Sequence, residues 1–145
     1  DLETKTKVLK RINEQSEGIR LEDADIVIAG GRGLGGPEPF ETLDEIAELL
    51  NAAVGASRAV CDAGWMDHSY QIGLTGKNIS PNLYLTVAIS GASQHMAGCS
   101  NSKHIVSIDK NVEANIFNNA EFGAIGDWKN ILPGFLDTLK DLVKE

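Results

Sequence analysis

Positive charge is in short supply in this chain. Thirteen lysines and arginines face twenty-one aspartates and glutamates, a net charge of −8 over 145 residues. That balance argues against nucleic acid or an anionic membrane surface as the main partner. No apolar run is long enough to span a bilayer, so direct membrane insertion is not expected. Only two cysteines occur, Cys61 and Cys99. They stand apart without a short metal-binding spacing, which favours a reducing compartment. No H-x-x-x-H pattern is present, and no metal site is expected. Ser57 and Ser90 lack a G-x-S-x-G elbow, which removes the usual setting of a hydrolase nucleophile. Gly76 and Lys77 are followed by Asn78 and are not preceded by the glycine of a P-loop, so nucleotide hydrolysis has no support. The first residue is Asp1 rather than methionine, without a charged-then-apolar leader, and the sequence reads as an excised or processed piece.

Glycine, by contrast, is plentiful: fifteen residues, most of them at the ends of apolar runs. Such placement suits loops that approach a ligand closely. The length fits one domain with a real core. Short β-branched or apolar runs at residues 25–29, 52–56, 83–89, 104–108 and 122–125 read as strands. A helix is expected after Pro39, with Phe40, Leu43, Ile46, Ala47 and Leu50 on its buried face and Glu41, Asp44, Glu45 and Glu48 mainly opposite. Further helical segments are expected from about Ser93, at about 113–117, and at the C-terminus. There Ile131, Leu132, Phe135, Leu136, Leu139, Leu142 and Val143 keep a helical period, and Pro133 marks a break or a fresh start. Strands alternating with helices predict an α/β fold, a Rossmann-like three-layer α/β/α domain with a mostly parallel sheet. Its ligand would lie at the carboxyl ends of the strands. Residues 1–23 are highly charged, with Val8, Leu9 and Ile12 as a modest apolar stripe, and read as a connecting arm. Residues 24–145 form the domain proper.

Four loops are able to carry chemistry. Gly31, Gly33 and Gly36 satisfy G-x-G-x-x-G between the first strand and the first helix. This motif supports a nucleotide site and, as the alternative function, an NAD(P)-dependent oxidoreductase. The second strand ends in Ser57 and Arg58 rather than an acidic residue, which weakens the NAD reading. A glycine turn without a ligand also fits. Arg58 follows a small-residue strand, either as a fixed cation in the cleft or as a solvated partner of Asp62. The third loop runs Gln71, Ile72, Gly73, Leu74, Thr75, Gly76 and Lys77, a tight turn around a hydroxyl. The fourth is Ser90, Gly91, Ala92, Ser93, Gln94 and His95, where a glycine turn delivers a histidine. It reads either as a phosphate cradle with a titratable group or as a helix capped by Ser90 with a surface histidine. His68 and His104 read as surface or structural residues, and Trp65 and Trp128 as packing anchors.

Taken together these loops resemble the FAD-binding domain of the electron transfer flavoprotein α subunit. The likeness rests on residues 30–34, 52–59 and 62–64, on Gln71, Gly73, Thr75, Gly76, Lys77, Pro81, Leu83 and Tyr84, and on residues 89–92 with Gln94 and His95. It extends in order from about Asp25 to the end. The resemblance implies a non-covalent FAD and an electron carrier with no substrate turnover of its own, so no catalytic residue is assigned. It implies a partner β subunit, flavin dehydrogenases such as the acyl-CoA dehydrogenases of fatty acid β-oxidation as donors, and a quinone oxidoreductase or similar acceptor. It also implies the bacterial cytoplasm or, in a eukaryote, the mitochondrial matrix. The arm at residues 1–23 would join an N-terminal domain that docks with the β subunit.

By the same resemblance the cofactor-binding residues are Arg32, Gly33, Ser57, Arg58, Gln71, Ile72, Gly73, Leu74, Thr75, Ser90, Gly91, Ala92, Ser93, Gln94, His95, Asp109, Asp127 and Trp128. Arg58 would lie over the isoalloxazine, Thr75 near N5, and His95 near the C2 carbonyl. Arg58 and His95 would act as positive groups that favour an added electron. Two positions depart from the family: Leu74 where glutamine is common, and Asp109 where asparagine is common.

Overall fold

A computed structural model describes residues 19–144. Five strands, β1 (Ile26–Gly30), β2 (Ala53–Ala56), β3 (Leu83–Val87), β4 (His104–Asp109) and β5 (Phe122–Ile125), form one sheet of order β2-β1-β3-β4-β5. Every pairing is parallel. The predicted mostly parallel α/β sheet is therefore wholly parallel. The order reverses between β1 and β3, the switch point at which open sheets of this kind leave a crevice beyond the strand ends.

Both faces of the sheet are covered, as the near-continuous burial of β1 and β3 requires. On one face Ile28, Val54, Leu85 and Ile108 pack under α1 (Phe40–Leu50), α2 (Arg58–Asp62) and α4 (Trp128–Lys144). On the other, Val27, Ala29, Ala53, Tyr84 and Ile105 pack with Leu21, Ile72, Ile79 and Cys99, the last at the end of α3 (Ser93–Cys99). Of the expected connecting arm, residues 1–18 lie outside the described residues. Leu21 is buried in this second core cluster and Ile19 packs against it, so the stretch next to β1 belongs to the packed domain.

Several expectations are corrected. Asp44 is buried rather than on the polar face of α1. The helix is covered along one flank by α4, with Lys140 and Glu45 3.9 Å apart across the pair, and more than one stripe of α1 is shielded. Pro133 neither breaks nor restarts the C-terminal helix, which runs through it. Leu132 is wholly covered and Phe135, Leu136 and Leu139 pack on the core, so tertiary burial outweighs the hydrogen bond that proline cannot donate. Leu142 and Val143 keep the helical period yet are exposed. The segment expected to be helical near 113–117 is a single 3-10 turn, Asn115–Asn118. β3 stops at Val87 rather than continuing to residue 89, since Ala88 takes φ 58°. No helix among the described residues is long and apolar enough to cross a membrane.

Candidate functional site

The strand register decides where the chemistry gathers. Gly30 pairs with Ala56 on one side and Val87 on the other, and Val87 pairs with Ile108. The next residue of each strand, Gly31, Ser57, Ala88 and Asp109, therefore forms a row along the carboxyl edge. All four line one cavity of about 560 Å³. That size and location are typical of a small-molecule site.

The glycine loop forms one rim. A Cβ on Gly31 would lie 2.1 Å from the carbonyl oxygen of Ala88, so only glycine lets the two strand ends meet. Arg32 and Leu34 then form a 3-10 turn closed by Gly35 at φ 83°, and α1 begins only at Phe40. A dinucleotide fingerprint needs its helix to open on the glycines. Here that helix starts four residues beyond Gly36, and the cavity does not include Gly36. The loop has the spacing of the motif without its geometry. Arg32 stacks 5.4 Å over Trp65, while Trp128 Nε1 donates to the Gly33 carbonyl at 3.1 Å.

On the β2 side, Ser57 is half-buried, and its Oγ is shielded from solvent with no hydrogen-bond partner. Arg58 lines the cavity, and its side chain is 64% exposed and 3.4 Å from Asp62. Both readings of Arg58 thus hold at once. Asp62 also meets His68 at 3.0 Å, and that bond, with the Arg58 charge behind it, keeps its carboxyl below the usual range.

The loop after α2 runs beside β2, the N–H of Ile72 donating to the Ala56 carbonyl. Gly73 has φ 146°, and a Cβ on Gly98 of α3 would come 2.5 Å from its nitrogen. Loop and helix are therefore pressed together. Gln71 is buried and its Nε2 donates to Thr75 Oγ1 at 2.9 Å, which leaves the threonine proton free to donate. Leu74 is 67% exposed at the cavity wall, and its N–H is taken by the Gln94 carbonyl.

The turn after β3 is built on Gly91, φ 83°, where a Cβ would meet the Ile116 nitrogen at 2.5 Å. Asn115 Nδ2 donates to the Gly91 carbonyl at 2.6 Å, and the Ile116 N–H to that of Ser90. Ala92, not Ser90, stands at the N-cap of α3. His95 is buried rather than on the surface, with Nε2 2.7 Å from the Tyr84 hydroxyl. Burial pushes its pKa down to about 4, the nearby Ile72 carbonyl opposing. The expectation of a positive His95 is thus corrected: near pH 7 it is neutral. Its Nδ1 is shielded and has no hydrogen-bond partner.

Of the cofactor-binding residues predicted on the four loops, all come together on this cavity except Ser93, which is exposed and bonds to Gln94. Asp127 and Trp128 line a smaller recess of about 130 Å³, which shares Gly33, Ala88 and Asp109 with the main cavity. There Asp127 accepts the Lys129 N–H and Asp109 that of Asn111. Sequence reasoning missed Ala59, Asp62, Ala88 and Ile89 as lining residues. Asp62 was signalled by its spacing from Arg58. Ala88 carried no signal, because its conformation is set by the close approach of Gly31.

Two shielded polar atoms without partners among the described residues, Ser57 Oγ and His95 Nδ1, belong to residues of the same cavity. Buried polar atoms of a folded protein are ordinarily paired, so both fit a ligand bearing polar groups. The walls between them, Ile72, Ala88, Ile89 and Ala92, suit an apolar ring system. Among the described residues no group of histidine, cysteine, aspartate and glutamate could hold a metal ion.

Comparison with known proteins gives this arrangement a family. The model of the electron transfer flavoprotein FAD-binding domain matches residues 20–100. Electron transfer flavoprotein subunit alpha of Thermoanaerobacterium thermosaccharolyticum is 46% identical over 138 residues, 95% of this chain and 42% of that protein. The same subunit of Bacillus subtilis gives the same identity and coverage. The mitochondrial subunit alpha of Dictyostelium discoideum is 46% identical over 127 residues, 88% of this chain and 36% of that protein. The chain thus spans about 42% of the length of the two bacterial relatives it matches.

Proposed function

The chain belongs to the electron transfer flavoprotein FAD-binding domain family, with FAD as its cofactor, and from that premise we propose that it is an electron carrier without substrate turnover of its own. The reading rests most heavily on one observation: Ser57 Oγ and His95 Nδ1 are left unpaired and shielded in a single cavity at the switch point of the sheet. Electrons would arrive from flavin dehydrogenases and leave to a quinone oxidoreductase or similar acceptor. The relatives are named as alpha subunits, which supports a β subunit as the standing partner.

Bound FAD supplies one- and two-electron chemistry. The chain supplies its setting. Arg58, Thr75 and His95 would hold the flavin end, Arg58 adding positive charge and Thr75 a free hydroxyl proton. Ser57 and the turn at Ser90 and Gly91 would hold the middle of the cofactor, and Asp109, Asp127 and Trp128 the adenosine end. Ile72, Ile89 and Ala92 would keep water from the ring and so strengthen each polar contact. The residues before Ile19 would lead to a further domain, and the setting would be the bacterial cytoplasm or the mitochondrial matrix.

Spectroscopy tests the core of this reading. Purified protein reconstituted with FAD is expected to turn yellow, bind one FAD, and release it on denaturation. Binding of NAD(P)H in preference to FAD, or no FAD binding by calorimetry, would overturn it.

A further inference from the structure

We propose that Tyr84 is a positioning residue: its hydroxyl proton, donated to Nε2 of His95, fixes the imidazole as the tautomer carrying hydrogen on Nδ1. The cavity then presents one uncharged donor at that point and selects a ligand with a bare carbonyl oxygen there. The inference rests on the FAD reading only for the identity of that ligand.

The argument begins from β3. Tyr84 is wholly covered by the second core cluster, and its ring lies nearly parallel to that of His95, 18° apart with centroids 6.1 Å distant. A buried phenol keeps its proton and must place it on an acceptor. Among the described residues that hydroxyl has one hydrogen-bond partner, His95 Nε2 at 2.7 Å. Were Nε2 protonated instead, the phenol proton would be stranded in the core, the costlier arrangement. Tyr84 therefore donates and Nε2 accepts. A neutral imidazole has one hydrogen, and it is left on Nδ1.

That atom is shielded and has no hydrogen-bond partner among the described residues. The residue that bears it lines the cavity. An imidazole free to exchange tautomers could meet either a donor or an acceptor on the ligand. The locked one meets only an acceptor, as the carbonyl edge of a flavin pyrimidine ring provides.

The test is nitrogen NMR of protein labelled with ¹⁵N histidine, free and with FAD added, for the wild type and Tyr84→Phe. The wild type is expected to show His95 with Nδ1 protonated and Nε2 bare in both states. Tyr84→Phe keeps the ring but removes the proton, so Nε2 should gain hydrogen in part and FAD binding should weaken about two- to tenfold, the worth of one net hydrogen bond. A wild-type proton on Nε2, or unchanged FAD affinity in Tyr84→Phe, overturns the proposal.

If Tyr84→Phe does not fold, a second pair of variants decides. His95→Asn offers an amide N–H near the place of Nδ1, and His95→Gln near that of Nε2. Asparagine should retain FAD binding better by about threefold or more, and the reverse order would refute the assignment. Wild-type protein that binds no FAD would overturn the FAD reading, while the spectrum of the free protein still reports the tautomer.

Discussion

His95 couples the binding cavity to the stability of the fold. Its pKa falls from 6.5 in the open chain to about 4 when buried. The unfolded state therefore takes up a proton that the native state refuses. The corresponding stability is fully present above about pH 6.5 and is lost as pH falls toward 4. At pH 5 the loss is about 2 kcal/mol, enough to lower the melting temperature by several degrees. Thermal melts of the wild type at pH 7 and pH 5 should show that drop, and His95→Gln should show a shallower dependence. An identical slope in the variant would remove His95 from the account. Arg58 acts differently because it is exposed and shares its charge with Asp62. Its removal should lower the reduction potential of bound FAD by only about 30 mV, the scale of a solvated ion pair. Asp62→Asn should move the potential the other way, and redox titration of both variants reads the pair.

The loop between β1 and α1 shows how one spacing can serve a different geometry. A Cβ at position 31 would drive into the Ala88 carbonyl, which belongs to the backbone and cannot yield. Gly31→Ala is expected to cost several kcal/mol and to abolish FAD binding, because the row of strand ends could not close. Gly36 is the third glycine of the apparent fingerprint, yet a Cβ there would meet only the tip of Glu38. Gly36→Ala should therefore change stability by less than about 0.5 kcal/mol and leave binding intact. Chemical denaturation and an FAD titration of the two variants separate the geometries, since a true fingerprint would suffer at both. The five strands and the four loops were legible because apolar runs and glycines are local signals. The φ of Ala88, the covering of Asp44 and the unbroken course of α4 through Pro133 were not legible, since each follows from a neighbour distant in sequence. The neutrality of His95 was hidden for the same reason: its depth depends on Tyr84, eleven residues away.

The two core clusters lie on opposite faces of one sheet, and each holds a single free cysteine, Cys61 on the buried side of α2 and Cys99 at the end of α3. Burial pushes the Cys61 thiol up to about 12, with Asp62 and Asp67 adding to the effect, and that of Cys99 up to about 11. In the native state at pH 8 both should react with a thiol reagent at least about a hundredfold more slowly than a free cysteine, because the thiolate is scarce as well as covered. Reaction then proceeds through opening, and the shared sheet decides its extent. Every strand but the edges is paired on both sides, so exposing either face disrupts the strands that build the other. The two thiols should be modified at similar rates. A ligand on the strand ends stabilises the closed state by about 2.7 kcal/mol at a hundred times its Kd, so FAD at that level should slow both about a hundredfold. Mass spectrometry resolves the two sites. Protection of Cys99 alone would mean that α3 and its loop open as a separate unit, and that the domain does not respond to FAD as one body.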